Sequence, residues 1–435
     1  MVKLKWLQVE RFRQAAPCRL EFSDGFNVLL GKNGTGKTNL LKLIAMILKG
    51  DFSALEEEEF SFAYRLESGT NALRVALQGW FEELPESMPE APPAPRGSIR
   101  RFSYTLALSS GRNDVVVRTA KEAEGRLLVR EAACASPAPS PLSPNFLRDI
   151  GTTTTPAGSA ELFPLVVQFI PMAESPGRFN EALGAYESIL NARETQVGER
   201  TELSPGPFSL AIQAPIEKEG GLSLQARFVP LQVVFHLLRD SDQRSFETIR
   251  VDQEGWPDLE QWARVLGFEC VTLHSTRSQR RMAAAPVPHV EHVFSALTFQ
   301  FTLPDGTIIN QDQLSFGQKR LLSFLWYLAC NQGGIIIADE LVNGLHHAWI
   351  EHVMRSIPPR QAFIASQNPL LFDFLTFQDA EEVRRTFVLC DLEEGERRRR
   401  WRWGAMDEKT AAGFFRAYEV GIQHVSELLR TKGIW

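Results

Sequence analysis

The chain has 435 residues, a formal net charge of −6 at pH 7 and 44% hydrophobic residues. This length exceeds the size at which one hydrophobic core stops growing, so we expect two or three sub-structures. The negative balance argues against a polyanion-binding role for the whole surface. The sequence contains neither an apolar run long enough to span a bilayer nor a signal-peptide pattern, so we expect a cytoplasmic protein with no membrane partner. Five scattered cysteines argue against a disulfide framework and a zinc site.

A glycine-rich loop follows the first predicted buried strand. The apolar run Phe26–Leu30 predicts this strand, and apolar residues at helical spacing predict a helix over Asn39–Lys49. The residues between them, GKNGTGKT, fit the pattern G-x-x-x-x-G-K-[ST] at every fixed position. Its glycines let backbone N–H groups surround phosphate oxygens at a helix N-terminus. The residues expected to bind the nucleotide here are Gly31, Asn33, Gly34, Thr35, Gly36, Lys37 and Thr38.

Two side chains of this loop have separate predicted roles. Lys37 is expected to reach the β- and γ-phosphates, and the Thr38 hydroxyl is expected to ligate Mg²⁺. The alternative is a glycine-rich turn with a surface lysine. The predicted strand and helix on either side favour ATP and Mg²⁺ as the ligands.

The middle of the chain is predicted to be rich in β-structure. Short alternating or apolar segments with turn residues between them predict antiparallel hairpins. These strand predictions cover residues 60–66, 72–80, 102–108, 115–118 and 127–130. Helices are predicted over 179–190 and 259–266, and a hairpin is predicted over 299–309. No heptad repeat of several turns occurs in the sequence, which excludes a long coiled coil.

An acidic pair ends a second predicted strand. Four apolar residues follow Gly333-Gly334 and lead into Asp339-Glu340, a pattern that predicts a buried parallel strand. Ligands of open α/β sheets bind at the carboxyl ends of the strands. We therefore expect Asp339 to orient Mg²⁺ and Glu340 to act as general base toward the attacking water. The alternative is a strand that ends at the surface in solvated acids.

The segment Leu314-Ser315-Phe316-Gly317-Gln318 precedes that strand and a predicted helix. It resembles the signature loop of ABC-type ATPases. That resemblance implies that Ser315, Gly317 and Gln318 complete a nucleotide site across a homodimer whose heads sandwich ATP. The alternative is an ordinary helix start in which Ser315 acts as the cap.

The chain resembles the SMC, RecF and OLD class of ABC-type ATPases. The opening strand around Leu4–Arg13 and the segment Asn343-Gly344-Leu345-His346 carry this resemblance, together with the long gap between loop and signature. The resemblance implies an α/β P-loop NTPase head with an antiparallel β subdomain and a mixed insertion. It also implies nucleotide contacts for Arg13 and Asn39, and a Mg²⁺-sensing role for Gln168, for which an ordinary strand glutamine is the alternative.

One position departs from the pattern of that class. A histidine normally follows the next strand in a T-H-x-P-like segment, whereas this chain has Gln367 in Ala365-Ser366-Gln367-Asn368-Pro369. A glutamine hydrogen-bonds phosphate or water but carries no proton near neutral pH. We therefore expect an ATPase whose turnover is slow or activated by a partner, with Glu340, Lys37 and Gln367 at its catalytic centre.

A basic and aromatic run lies near the C-terminal end. Its arginines are candidates for DNA contact because cations neutralise phosphates and indoles stack on bases. The alternative is a hairpin strand with cations outside and tryptophans inside. The candidate nucleic-acid residues are Arg397, Arg398, Arg399 and Arg400, followed by Trp401 and Trp403. The C-terminal helix is predicted to present Phe415, Tyr418, Ile422, Val425 and Leu429 on one face.

These observations predict four regions and one function. The head comprises residues 1–50 and 291–435, with a β-rich subdomain over 51–170 and a mixed helical insertion over 171–290. The chain resembles the ATPase subunits of retron and Septu-type anti-phage systems, which implies a separate nuclease or toxin effector. The alternatives are a DNA repair or recombination ATPase of RecF or SMC type, and a non-hydrolysing ATP-dependent scaffold that holds an effector.

Overall fold

The structure is a computed structural model. It describes residues 2–49, 52–55, 57–69, 71–83, 98–109, 115–123, 126–134, 210–215, 223–225, 233, 246–282, 289–330, 335–394 and 399–434. The chain divides into two compact units, the first comprising 1–186, 333–337 and 359–435 and the second comprising 187–332 and 338–358. The predicted Gln168, Arg397, Arg398 and the helix over 179–190 lie outside the described residues, and the predicted region boundaries stay predictions.

A mostly parallel sheet forms the centre of the first unit. Its strand order is β15-β16-β3-β17-β18, in which β3 pairs in parallel with β16 and β17, while β18 is antiparallel to β17. The bounds are β3 Phe26–Leu30, β15 Ile336–Asp339, β16 Ala362–Ala365, β17 Phe387–Glu394 and β18 Arg399–Ala405. The side chains of β16 are fully buried and apolar, as expected for a parallel strand covered on both faces. The helix α1, Lys37–Lys49, follows β3 after the glycine-rich loop, which confirms the predicted strand, loop and helix.

An antiparallel sheet in the same unit contains the predicted hairpins. Its order is β2-β1-β4-β5-β6-β7-β8, so consecutive strands from β4 onward are neighbours. The bounds are β1 Val2–Phe12, β2 Cys18–Glu21, β4 Phe60–Ser68, β5 Asn71–Glu83, β6 Ser98–Ser109, β7 Val115–Ala123 and β8 Arg126–Cys134. The prediction of antiparallel hairpins is confirmed, and the strands are longer than predicted because each ladder continues into flanking residues outside the apolar or alternating pattern.

A buried glutamine amide links the two sheets of the first unit. Gln361 is 1% exposed and precedes β16. Its Nε2 donates to the carbonyls of Leu4 at 2.9 Å and Ser23 at 2.7 Å, and its Oε1 accepts from the Leu4 N–H at 2.8 Å. A buried amide with these partners is satisfied, so it fixes the start of β16 against β1 rather than weakening the core.

The second unit combines an antiparallel sheet with helices. The strand order is β10-β9-β13-β12-β11, and β14 pairs with β13. The strands are β9 Leu210–Pro215, β10 Ser223–Gln225, β11 Phe246–Val251, β12 Cys270–Met282, β13 His289–Thr302 and β14 Ile308–Asn310. The helices are α2 Asp258–Leu266, α3 Phe316–Cys330 and α4 His347–Ser356. The predicted helix over 259–266 and the hairpin over 299–309 are confirmed.

The C-terminal segment contains helices where the sequence predicted one continuous face. The first unit ends with α5 Ala380–Thr386, α6 Glu408–Val420 and α7 Val425–Thr431. Gly421 has φ 70° and ends α6 in a left-handed cap, so the apolar periodicity does not continue across it. Ile422 is 82% exposed, and its predicted place on the packed face is wrong. Among the described residues, the helices are all too short or too polar to cross a bilayer.

Candidate functional site

The glycine-rich loop has a backbone that only glycines adopt readily. Gly34 and Gly36 have φ values of 83° and 86°, in the left-handed region. The buried side chain of Lys37 curls over the loop, and its Nζ donates to the carbonyls of Gly31 at 2.6 Å and Lys32 at 3.0 Å. The first helical bond of α1 runs from the Leu40 N–H to the Gly36 carbonyl at 2.9 Å. A loop with this backbone, a lysine and a helix start fits an anionic phosphate chain.

The hairpin of β17 and β18 lies against this loop. A Cβ on Gly31 would stand 2.0 Å from the carbonyl oxygen of Cys390, and a Cβ on Gly36 would stand 2.6 Å from Cδ2 of Trp401. Real Cβ atoms do not tolerate such distances, so the contact with the hairpin requires glycine at both positions. Burial raises the pKa of the Cys390 thiol to about 12, so this thiol stays protonated beside the loop near neutral pH.

Two tryptophans of β18 hydrogen-bond the loop directly. Trp401 Nε1 donates to the Gly34 carbonyl at 3.1 Å, and Trp403 Nε1 donates to the Thr35 carbonyl at 3.2 Å. The two rings are nearly parallel, with centroids 6.0 Å apart and an interplanar angle of 15°. The sequence analysis did not predict this role for the tryptophans. The alternation of arginine with tryptophan was the available signal, because it predicts one buried face of a strand.

Arg13 and Asn39, both predicted to contact nucleotide, lie together at the start of α1. Arg13 has φ 50°, an uncommon backbone for an arginine. Its Nη1 donates to Asn39 Oδ1 at 2.6 Å, and its Nε and Nη2 each donate to Glu58 at 2.9 Å. Thr38 is exposed beside Asn39. The partnership of Arg13 with Glu58 was not predicted.

Gln367 lies two residues beyond the end of β16. Because β16 and β3 are parallel neighbours, their carboxyl ends lie at the same edge of the sheet, and the glycine-rich loop begins at that edge. The Gln367 side chain is exposed there. Ser366 and Asn368 on either side form a turn, in which the Asn368 N–H donates to Ser366 Oγ at 3.0 Å and the Leu370 N–H donates to Asn368 Oδ1 at 3.1 Å.

The second unit holds the acidic residue Glu340 in an unusual conformation. Its φ is 53°, a left-handed backbone that costs a non-glycine residue of order 1–3 kcal/mol. The Arg320 guanidinium donates to the backbone carbonyl of Glu340, and its Nε donates to that of Leu341 at 3.0 Å. Asn343 Nδ2 donates to Glu340 Oε2 at 2.8 Å. Both the backbone and the carboxylate of Glu340 are therefore held by residues of the same unit.

Arg320 reaches these carbonyls from a largely buried position in α3. Burial lowers the pKa of its guanidinium from the ordinary value, and the charge of Glu340 acts in the opposite direction. The sequence analysis did not single out Arg320. Arg320 directly follows Lys319 near the start of α3, and no local pattern distinguishes it.

The predicted signature segment forms the start of α3. The Gln318 N–H donates to Ser315 Oγ at 3.3 Å, and the Ser315 N–H donates to Gln318 Oε1 at 3.0 Å, which makes a reciprocal cap. Ser315 is exposed, and Phe316 is 51% exposed. A Cβ on Gly317 would lie 2.9 Å from the carbonyl oxygen of Gly344. The segment thus packs closely on the loop that follows Glu340.

The described arginines of β18 lie at the surface, and two of them make long ion pairs with acidic residues of β17. Arg399, Arg400 and Arg402 are exposed. Arg399 stands 3.8 Å from Glu394 and Arg402 stands 3.9 Å from Asp391, and such exposed pairs contribute little to stability. The strand therefore has its tryptophans on the loop and its cations accessible to an anionic partner.

The predicted site residues fall into two described groups. The first unit brings together the glycine-rich loop, Arg13 and Asn39, with Gln367 at the same sheet edge. The second unit brings the signature segment close to the loop after Glu340. His346 caps α4 through its Nδ1, which accepts from the Ala348 N–H at 3.4 Å.

Comparison with known proteins adds a family. The family described as "AAA domain, putative AbiEii toxin, Type IV TA system" matches residues 26–373. Over 49 residues the chain is 47% identical to the DNA replication and repair protein RecF of Clostridioides difficile, covering 11% of this chain and 13% of that protein. Over 50 residues it is 38% identical to the DNA double-strand break repair Rad50 ATPase of Archaeoglobus fulgidus, covering 12% of this chain and 6% of that protein. The chain thus spans only a small part of either curated relative.

Solved structures with a related arrangement are distant. The SMC head domain from Thermotoga maritima aligns with 12% identity over 93% of this chain and 99% of that chain, at a TM-score of 0.36. A structure of the recombination mediator protein RecF-ATPrS aligns with 13% identity over 93% of this chain and 98% of that chain, at a TM-score of 0.30. The family match extends across most of the chain, from β3 to the turn that contains Gln367. Together with the local identity to RecF and Rad50, it confirms the predicted resemblance to ABC-type ATPases of the SMC and RecF class. The protein therefore belongs to the AAA_21 family of AAA-domain proteins.

Proposed function

We propose that this protein binds ATP with Mg²⁺ and hydrolyses it to ADP and phosphate. The observation that carries the proposal is the glycine-rich loop, in which two left-handed glycines precede α1 and Lys37 is the first residue of that helix. Lys37 exchanges its loop carbonyls for the β- and γ-phosphates, and backbone N–H groups of the loop receive the remaining phosphate oxygens. Thr38 and Asp339 are the residues that would hold Mg²⁺, which would neutralise charge on the phosphates.

Glu340 is the proposed general base. The Asn343 amide orients the carboxylate of Glu340, and Arg320 holds its backbone carbonyl. These contacts fix the position of the carboxylate, as a general base requires. Gln367 orients phosphate or water by hydrogen bonding, without proton transfer. The absence of an ionisable group at position 367 supports slow or partner-activated turnover.

Dimerisation around ATP is the second part of the proposal. Ser315, Gly317 and Gln318 would contact the triphosphate held by a second copy, because the exposed Ser315 lies at the N-terminus of α3. The half-exposed apolar ring of Phe316 beside Ser315 supports a surface that is covered in an assembly.

The biological role that we favour is anti-phage defence in the cytoplasm with a separate nuclease or toxin effector. The family description, which contains the words "putative AbiEii toxin, Type IV TA system", supports the defence part of this role, and the separate effector rests on the resemblance to retron and Septu-type ATPase subunits. A repair or recombination ATPase is the second candidate, supported by the local identity to RecF and Rad50. A scaffold that binds ATP without hydrolysing it is the third, supported by Gln367. Exposed Arg399 and Arg400 make DNA a possible partner in each role.

Single-turnover experiments test the enzymatic proposal. Lys37→Ala should abolish ATP binding, and Glu340→Gln should retain binding while phosphate release falls by about 100-fold or more. Ser315→Arg should retain binding by the monomer and prevent ATP-dependent dimers in light scattering. If the wild type releases phosphate as slowly as Glu340→Gln does, the scaffold is favoured over the ATPase.

Cell-based assays separate the biological roles. Cells that carry the chain with its neighbouring genes should restrict phage plaques, and Lys37→Ala should remove that restriction. Sensitivity of a deletion strain to DNA damage, with unchanged plaque counts, would favour the repair role instead.

A further inference from the structure

The β17–β18 hairpin contacts the glycine-rich loop, residues 31–38 and from here on the phosphate loop, through two indole N–H groups. Trp401 binds the carbonyl of Gly34 and Trp403 binds the carbonyl of Thr35. In a planar trans peptide the C=O of one residue and the N–H of the next point in opposite directions. Holding the Gly34 carbonyl therefore also sets the direction of the Thr35 N–H, and holding the Thr35 carbonyl sets that of the Gly36 N–H.

Phosphate oxygens and indoles use different backbone groups of this loop. A phosphate accepts from backbone N–H groups, whereas each indole donates to a carbonyl. The two interactions do not compete, and the indoles orient the N–H groups before nucleotide binds. Pre-orientation of donors lowers the conformational cost of binding, so it appears directly in affinity.

Trp401 is itself held at a defined position. Its backbone N–H donates to the Gln14 carbonyl at 2.9 Å, and its backbone carbonyl accepts from the Ala16 N–H at 2.8 Å. These contacts place it beside the segment that carries Arg13. Trp403 is 2% exposed and stacks against Trp401, so the pair forms a rigid support rather than a mobile cover.

We propose that Trp401 and Trp403 are positioning residues that orient the N–H groups of the phosphate loop, and that Trp401 also responds optically to nucleotide. The proposal rests on the proposed ATP binding. The ring of Trp401 contacts Gly36, the residue immediately before Lys37, so a change at the phosphates reaches the indole through one peptide.

Isothermal titration with ATP tests the positioning role. Trp401→Phe keeps an aromatic ring but removes the N–H, and the loss of one hydrogen bond should weaken ATP affinity by about 3- to 10-fold. Trp401→Leu also removes the ring contact and should weaken it by about 10- to 100-fold. Trp403→Phe provides a second variant that removes the other indole donor, with an expected loss of about 3- to 10-fold.

The matched control is Trp6→Phe. Trp6 lies in β1 of the same unit, where its ring contacts the guanidinium groups of Arg19 and Arg74 instead of the loop. ATP affinity should be unchanged in this variant. Circular dichroism melts establish which variants remain folded at the temperature of the titration.

Intrinsic fluorescence supplies a readout that a purely structural role would not change. ATP should alter the tryptophan emission of the wild type and of Trp6→Phe, whereas Trp401→Phe should lose most of that change. Folded Trp401→Phe and Trp403→Phe with wild-type ATP affinity would overturn the positioning role alone. Wild type that binds ATP with unchanged emission would overturn the optical response of Trp401. Wild type that binds no ATP would instead overturn the proposed function and this inference with it.

Discussion

The phosphate loop and residues 340–344, from here on the acidic loop, both contain left-handed backbone, but different residue types adopt it. In the phosphate loop this conformation falls on Gly34 and Gly36, which adopt it without steric conflict. In the acidic loop it falls on Gly344 and also on Glu340, whose Cβ makes the same conformation costly. Glycines at fixed spacing allow a loop of this backbone to be predicted from the local sequence. A glutamate in the same conformation is strained, so other residues must stabilise it.

For Glu340 that support comes from Arg320, twenty residues earlier, and from the nearby Asn343. For the phosphate loop, support from the hairpin adds to a local preference. Arg320 and Asn343 hold the backbone and carboxylate of Glu340. The hairpin of β17 and β18 backs a loop that is already favoured by its glycines. Strain at a functional residue persists only where surrounding contacts over-determine it. We therefore expect the acidic loop to respond to changes in its supports and the phosphate loop to respond to changes in its own glycines.

Replacing Gly36 should give the largest effect. Gly36→Ala combines a φ of 86° with a Cβ 2.6 Å from the Trp401 ring, so we expect ATP affinity to fall at least about 100-fold and the free energy of unfolding to fall by about 2–4 kcal/mol. Titration calorimetry and denaturant melts measure the two quantities.

Gly34→Ala is the control for that prediction within the same loop. Its φ is 83°, but a Cβ there meets no atom within 4 Å. We expect only the strain term, about 1 kcal/mol of stability. Equal stability losses at the two glycines would show that the Trp401 contact contributes nothing.

Removing Arg320 tests the support of the acidic loop. Arg320→Leu leaves the carbonyls of Glu340 and Leu341 without this donor and should lower the hydrolysis rate by about 10- to 100-fold. ATP affinity should remain within about twofold, because Arg320 acts on the base rather than on the phosphate loop. Phosphate release under single-turnover conditions measures the rate.

Arg355→Leu is the matched control for Arg320. Its exposed side chain pairs with Glu351 on the surface of α4. Its hydrolysis rate should equal that of the wild type. An Arg320→Leu rate equal to that of this control would contradict the proposed support of Glu340.

Asn343→Ala should have a smaller effect than Arg320→Leu. It removes one hydrogen bond to the carboxylate of Glu340 and leaves its backbone contacts intact. We expect the rate to fall by about 3- to 10-fold, which corresponds to about 0.7–1.4 kcal/mol, the net value of one ordinary hydrogen bond. A loss larger than that of Arg320→Leu would show that the carboxylate contact matters more than the backbone contact.

Glu58→Gln should give the smallest effect, and in the opposite direction. Glu58 accepts from Arg13 through both the Nε and the Nη2 of the guanidinium. Weakening this ion pair frees the predicted nucleotide ligand Arg13, so ATP affinity should rise by about 2- to 5-fold. Affinity lowered by the change would indicate that Arg13 positions Asn39 instead of binding nucleotide.

The local parts of the fold and site were predictable from sequence. The β3, loop and α1 order, the antiparallel hairpins and α2 depend on periodicity and turn residues, and the structure confirms them. The C-terminal helix was predicted as one face because Ile422 falls at helical spacing. Gly421 ends α6 instead, since a left-handed cap there satisfies carbonyl groups that the helix leaves open.

The supporting contacts were not predictable because they join residues far apart in the chain. Trp401 and Trp403 belong to a run that suggested nucleic-acid contact or a hairpin, and only their placement on Gly34 and Thr35 distinguishes these readings. Arg320 lacks a sequence signal for the Glu340 carbonyl that it binds.

By itself, the sequence determined the chemistry available to this protein, because glycine conformation, a phosphate-binding lysine and paired carboxylates are local properties. The tertiary structure decided which neighbours hold those groups in place. The physical reason is that backbone direction and side-chain orientation are set by hydrogen bonds and packing between strands and helices that no local pattern relates.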